Sequence, residues 1–107
     1  RLIKEKIKDP TFYIFTDNIE WTLDNLDLAD CAHEHIDWNP FSGADCYLDM
    51  QLMSLCKHNI IANSTYSWWG AWLNQNDNAI KIAPKEWLNK KNRYNIDDII
   101  PSNWLKI

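Results

Sequence analysis

The sequence predicts an α/β fold, a parallel sheet of about four strands with helices on both faces, in one domain spanning residues 1–107. Three observations carry that prediction. Short apolar runs rich in β-branched and aromatic residues alternate with stretches whose apolar residues recur every three or four positions. The run Thr11 to Thr16, TFYIFT, has no polar face, as in a strand covered on both sides. Polar residues that end strands or cap helices stand at each transition.

In chain order, Leu2, Ile3 and Ile7 recur at helical spacing among charged residues, and Pro10 ends that helix, whose upstream part is expected to be missing. TFYIFT is the first strand. It stops at Asp17 and Asn18, either of which can cap a short helix carrying Ile19, Leu23 and Leu26. Ala32 to Trp38 is a weaker second strand, closed by Asn39-Pro40. Ala44 to Lys57 returns to helical period, with Leu48, Leu52 and Leu55 on one stripe and Asp45 and Asp49 near the favourable N-terminal end.

Asn59 to Asn63 reads as a third strand and Ser64 to Ser67 as a hydroxyl-rich turn. The run WWGAWL then forms a helix in which Trp68 and Trp72 stack at i,i+4. Two adjoining apolar faces predict deep burial of that helix, with Gly70 permitting close approach to the sheet. Ala79 to Ala83 is a fourth strand ended by Pro84, and Asn95 to Ile107 is a tail expected to fold back on the domain.

Composition narrows the function. The chain has 107 residues, a formal charge of −4 and 46% hydrophobic residues, enough apolar material for one core and too little length for two. The acidic balance excludes a nucleic-acid binder working through a basic face. With two glycines there is no G-x-G-x-x-G and no G-x-x-x-x-G-K-[ST], so any phosphate site must be built without a glycine loop. No apolar run approaches the ~20 residues of a membrane span. The opening RLIKEKIKD is neither a secretory signal nor an initiating Met, and the chain reads as a fragment of a longer protein. Three cysteines without a C-x-x-C point to reduced thiols rather than a disulfide framework.

In a parallel sheet the ligand crevice lies beyond the carboxyl ends of the strands. That places Asp17 and Asn18, the segment Asn39 to Ser42, the segment Asn63 to Ser67, and Pro84 with Lys85 at its rim, with Asp45 and Asp49 able to face it. The most informative segment is Cys56 to Asn74. Ser64, Thr65 and Ser67 offer hydroxyls, and the start of the following helix adds amides and a positive dipole end, a combination suited to a diphosphate. A plain helix cap at Ser64 or Thr65 accounts for part of the same pattern.

The string CKHNIIANSTYSWWGAWLN, followed by Ile82-Ala83-Pro84-Lys85, resembles the signature of the α-1,2-fucosyltransferases of glycosyltransferase family 11, where a segment like CKHxIIANSxFSWWxAWL precedes a strand ending in APK. The family's FSDD-like block is matched by Phe15-Thr16-Asp17-Asn18, and its LMSxC helix by Asp49 to Cys56. The resemblance covers nearly the whole chain. It implies the Rossmann-like, C-terminal donor-binding half of an inverting GT-B enzyme that uses GDP-L-fucose, acts on a glycan acceptor, pairs with an N-terminal half and needs no divalent cation or other cofactor. It implies Asp49 as the nucleoside contact and Asn63, Ser64, Thr65 and Ser67 as donor-binding residues, the three hydroxyls holding the pyrophosphate. The family's HxRxGD motif belongs to the N-terminal half and is absent here, so this chain by itself is expected to bind nucleotide weakly and not to turn over. Asn18 replaces the second Asp of the family block and Thr16 its Ser, leaving Asp17 as a weak catalytic candidate whose plain alternative is a helix cap.

Other features have plainer readings. His33 and His35 share a strand face near Glu34 and Asp37, but two histidines make a poor metal site. His58 stands at the wrong end of its strand for the crevice and is structural. Asn63-Ser64-Thr65 is formally a glycosylation sequon, expected to be inaccessible, and Lys90-Lys91 is expected to be a solvated loop. Two rivals come from other classes: a Trp-rich carbohydrate-binding module, disfavoured if the Trp helix is buried, and an inactive interaction domain. Reduced cysteines favour a bacterial enzyme working in the cytoplasm, peripheral to the inner membrane; an animal member would face the Golgi lumen.

Overall fold

The computed structural model describes residues 1–87 and 95–107. Lys90-Lys91 lies outside the described residues. The architecture is mixed α/β, with every strand pairing parallel. Two compact units divide the chain, Arg1–Asp49 and Met50–Ile107.

In the first unit, α1 (Leu2–Lys6) buries Ile3. Strand β1 (Thr11–Phe15) pairs with β2 (Ala32–Ile36) from Thr11 opposite Ala32 to Phe15 opposite Ile36. Between them α2 (Ile19–Asn25) is capped by Asn18, whose Oδ1 accepts from the Trp21 amide at 3.0 Å. The cap is therefore Asn18 and not Asp17, which is exposed. Thr22, buried one turn later, brings its hydroxyl to 3.0 Å from Thr16 Oγ1 and 2.9 Å from the Asn18 carbonyl, fixing the strand end to the helix start. β1 is not covered on both faces as its composition suggests, since Thr11 and Tyr13 are exposed. A two-stranded sheet makes each strand an edge, and residues along an edge keep part of their surface in water.

In the second unit the sheet order is β3–β4–β5, formed by Asn59–Ile60, Lys81–Ala83 and Leu105–Lys106. The tail does fold back, through a 3-10 turn at Ile96–Asp98, and adds the strand β5. Among the described residues, the expected single sheet of about four strands is thus five strands in two separately bonded sheets. β5 has only two residues, too few to show an alternation. Its pairing continues on either side, with Ile107 N–H donating to the Ala83 carbonyl at 3.0 Å and Lys85 N–H to the Ile107 carbonyl at 2.7 Å. Lys106 also pairs with Asp97. The core of this unit is Ile61, Ala71, Ala83, Ile100 and Trp104, with Trp68 and Trp87 packed against it.

Helix α3 (Leu48–Leu55) starts later than the sequence pattern suggests, leaving Asp45 in the preceding turn. Helix α4 (Thr65–Trp72) carries the tryptophans. Trp68 and Trp72 stack as expected, 5.1 Å between ring centroids and 10° between planes. Deep burial of the helix is not found. Gly70 and Ala71 are buried, whereas Trp69 is 47% and Trp72 51% exposed. Gly70 and Ala71 form the buried stripe, Tyr66, Ser67 and Trp68 are partly covered, and Thr65, Trp69 and Trp72 face outward. Gly70 does mark a close approach, but to α3: a Cβ there would stand 2.8 Å from Met53 Cβ. The Met53 side chain occupies the space that a Cβ at position 70 would need, so any larger residue there would displace it. No helix among the described residues is long and apolar enough to cross a membrane.

Candidate functional site

The hydroxyl-rich turn follows directly from β3. Ile61 extends the strand by donating its amide to the Ile82 carbonyl at 2.9 Å, and the chain then turns through Ala62 and Asn63 into α4. Ser64 takes the extended backbone of a cap, φ −130° and ψ 129°, and its Oγ accepts from the Ser67 amide at 3.5 Å. Its carbonyl accepts the first α4 bond, from Trp68 N at 2.9 Å. The cap reading of Ser64 therefore holds. An oxygen that accepts in this way keeps its own proton for an outside acceptor.

Ser67 behaves differently. Its Oγ lies 3.0 Å from the Ser64 carbonyl and 3.2 Å from the Ala62 carbonyl, so its single proton is directed into the turn. Closing the turn is its role here, with only lone pairs left to offer outward. Asn63 and Thr65 are exposed. The sequon they form with Ser64 is thus on the surface, contrary to the inaccessibility expected, because strand pairing ends at Ile61 and the turn projects beyond it. The start of α4 adds the positive end of an eight-residue helix. Exposed oxygens, a cap with a spare proton and a helix N-terminus together can hold an anion without glycine or metal.

The other predicted site residues are placed as follows. Asp49, in the first turn of α3, is buried, and its Oδ1 accepts from Asn39 Nδ2 at 2.7 Å, leaving Oδ2 for any further partner. Asp17 is exposed at the end of β1. His58 is structural as expected, its Nδ1 accepting from the Ile80 amide at 3.0 Å. His33 and His35 meet edge to face, 5.6 Å between centroids, and His33 Nδ1 lies 2.8 Å from the Cys31 carbonyl. No cluster of three or more metal-ligating side chains occurs among the described residues.

Sequence reading missed two polar contacts behind the turn. Asn74, just past α4, donates from Nδ2 to the Cys56 carbonyl at 2.8 Å and to Asn59 Oδ1 at 2.7 Å, while Asn59 donates to the Met53 carbonyl at 2.8 Å. Lys81 Nζ closes this cluster on the Asn74 carbonyl at 2.9 Å and stands 5.7 Å over the Trp104 ring. Burial lowers the Lys81 pKa from its ordinary value. The second missed contact is Tyr66, whose hydroxyl accepts from the Met50 amide at 3.0 Å. The only local signal for the first was an asparagine at each element boundary.

Burial also pushes the Cys56 thiol up. Fewer thiolates then exist at a given pH than in an unfolded chain, so native Cys56 is expected to alkylate more slowly at pH 8 than the unfolded chain does. Rates with iodoacetamide, followed by mass spectrometry with and without urea, check this. Equal rates would contradict it. The stabilisation linked to this group is fully present below the ordinary thiol pKa and is lost as pH rises through the raised folded value.

Comparison with known proteins places the chain in context. The profile described as Glycosyl transferase family 11 matches residues 2–107. The chain is similar to an alpha-1,2-colitosyltransferase of Escherichia coli, 36% identical over 107 residues, covering 100% of this chain and 36% of that protein. It is similar also to the O-antigen biosynthesis glycosyltransferase WbnK of Escherichia coli, 35% identical over 105 residues, covering 94% of this chain and 33% of that protein. The chain thus spans about a third of the length of these curated relatives. No solved structure matches it.

Proposed function

Since the chain belongs to glycosyl transferase family 11, we propose that it is the donor-binding part of an inverting GT-B glycosyltransferase, Rossmann-like in topology, that moves L-fucose from GDP-L-fucose to a glycan hydroxyl in α-1,2 linkage. The observation that carries this reading is the turn itself: the family-like string folds as a strand, an exposed hydroxyl turn and a capped helix, the arrangement a pyrophosphate needs. The parallel strands with intervening helices support the topology. The colitosyl group in one relative's name makes a colitosyl donor the nearest alternative to fucosyl.

In this reading Ser64 and Thr65 donate hydroxyl protons to the pyrophosphate, Ser67 shapes the turn, Asn63 flanks it, and Asp49 contacts the nucleoside. Negative charge builds on the departing GDP as the glycosidic bond breaks. Donors fixed on the β-phosphate favour that state over the ground state, so leaving-group stabilisation rather than a metal lowers the barrier. The remaining length that the relatives carry supplies the acceptor site and an N-terminal half. The setting proposed with it is the bacterial cytoplasm, at the inner membrane surface.

A sugar-binding module is not preferred even though Trp69 and Trp72 are partly exposed, because the family match spans the whole described fold. Calorimetric titration of the full enzyme with GDP, GDP-fucose and free oligosaccharide separates the readings. Nucleotide-dependent heat is expected; heat from oligosaccharide alone would favour the module, and none at all the interaction domain. The double change Ser64→Gly with Thr65→Ala is expected to weaken GDP by about 10- to 100-fold, at two charge-assisted hydrogen bonds lost. Glycine at a cap costs only a few tenths of a kcal/mol, so folding survives. Unchanged GDP affinity would refute the site.

A further inference from the structure

From the contact between Tyr66 and Met50 we infer that the Tyr66 hydroxyl is a positioning group for the donor site, setting the pyrophosphate turn by tying the start of α4 to the first turn of α3. The inference rests on the proposed donor-binding role of that turn. Tyr66 directly follows Thr65 and precedes Ser67, so its side chain anchors the backbone that carries the turn's hydroxyls. Its phenolic oxygen accepts from the Met50 amide at 3.0 Å across sixteen positions of sequence. Met50 is the third residue of α3, and amides in the first turn of a helix have no carbonyl of their own helix to bond. The Tyr66 oxygen thus satisfies a donor that must find a partner outside the helix, and in doing so joins two elements at a defined point.

A phenylalanine in place of Tyr66 fills the same space and cannot accept this bond. The hydroxyl is therefore a fixing element, added to a turn whose catalytic value depends on donors being held in place before charge develops. With the bond present, the rotation of the first turn of α4 is set by α3 as well as by the Ser64 cap. Tyr66 touches no reacting atom in this scheme; it acts through Ser64 and Thr65.

Tyr66→Phe removes one oxygen and leaves the packing of the ring intact, so the variant is expected to fold. In the full enzyme, the Met50 amide should exchange its hydrogen about 2- to 10-fold faster, the range of one lost hydrogen bond, and the dissociation constant for GDP should rise by a similar factor. KM for the nucleotide donor should rise with it while KM for the acceptor stays unchanged. A purely structural hydroxyl would lower the melting temperature without separating the two KM values. If the wild-type enzyme binds GDP and Tyr66→Phe binds it equally well, the positioning role is overturned while the donor-site reading stands. Unchanged exchange at Met50 overturns it independently of any ligand. Absence of GDP binding by the wild type overturns the donor-site reading, and the positioning role with it.

Discussion

Replacing Trp104 with alanine is expected to lower the stability of the chain by about 3–5 kcal/mol, the range for truncating a large aromatic in a packed interior. Trp104 is 5% exposed and belongs to the core with Ile61, Ala71, Ala83 and Ile100. Its ring lies 6.0 Å from Trp68 and beneath the Lys81 ammonium. Removing it opens a cavity beside residues of α4, β4 and the segment after the 3-10 turn, and β4 is held in place by its pairing with β5. Of the other six tryptophans, Trp21, Trp38, Trp69 and Trp72 are exposed and Trp68 and Trp87 pack against this core from partly buried positions, so Trp104 is the one buried within it. Trp104→Phe should recover more than half of the loss by refilling most of the volume. Urea midpoints followed by far-ultraviolet dichroism, with the slope unchanged, are the measurement. A loss below about 1 kcal/mol for the alanine variant would show that this core does not hold the second unit together.

The second large effect is expected at Asn74. Asn74→Ala should cost about 2–4 kcal/mol, because it strands buried acceptors that only the Nδ2 group reaches. Both Nδ2 protons are used, one on the Cys56 carbonyl and one on Asn59 Oδ1, and Oδ1 accepts from the Asn76 amide at 3.0 Å. Asn59 carries the chain of bonds on to the Met53 carbonyl, so the end of α3, the start of β3 and the segment after α4 share one polar cluster. Asn74→Asp is the informative companion. It keeps the volume but sets a carboxylate against two acceptors, so at neutral pH it should lose at least as much as alanine. If aspartate were tolerated and alanine were not, the effect would be one of volume and the hydrogen-bond argument would be wrong.

Much of the fold was legible in the chain because it is decided by neighbours. The positions of α2 and α4 follow from caps one to three residues away, Asn18 and Ser64, and from apolar spacing within a turn or two. The stacking of Trp68 on Trp72 is the geometry of two large side chains one turn apart. The same local chemistry singled out the turn at Ser64, here proposed to hold the donor's pyrophosphate, and the length of the string around it carried the family. Less was legible at β5, which holds two residues and whose existence depends on the edge of β4 being available.

By itself, then, the sequence determined the alternation of elements, the cap at Ser64, the family and the chemistry offered by the hydroxyl turn. The tertiary structure alone decided that Trp69 and Trp72 stay partly in water, that Gly70 meets Met53, and that Tyr66 and Asn74 close bonds to distant backbone. The physical reason is range. Caps and helical stacking are interactions over four residues or fewer, written in local order, whereas burial and the bonds of Tyr66 and Asn74 join groups sixteen and eighteen positions apart, whose meeting is set by how the elements pack.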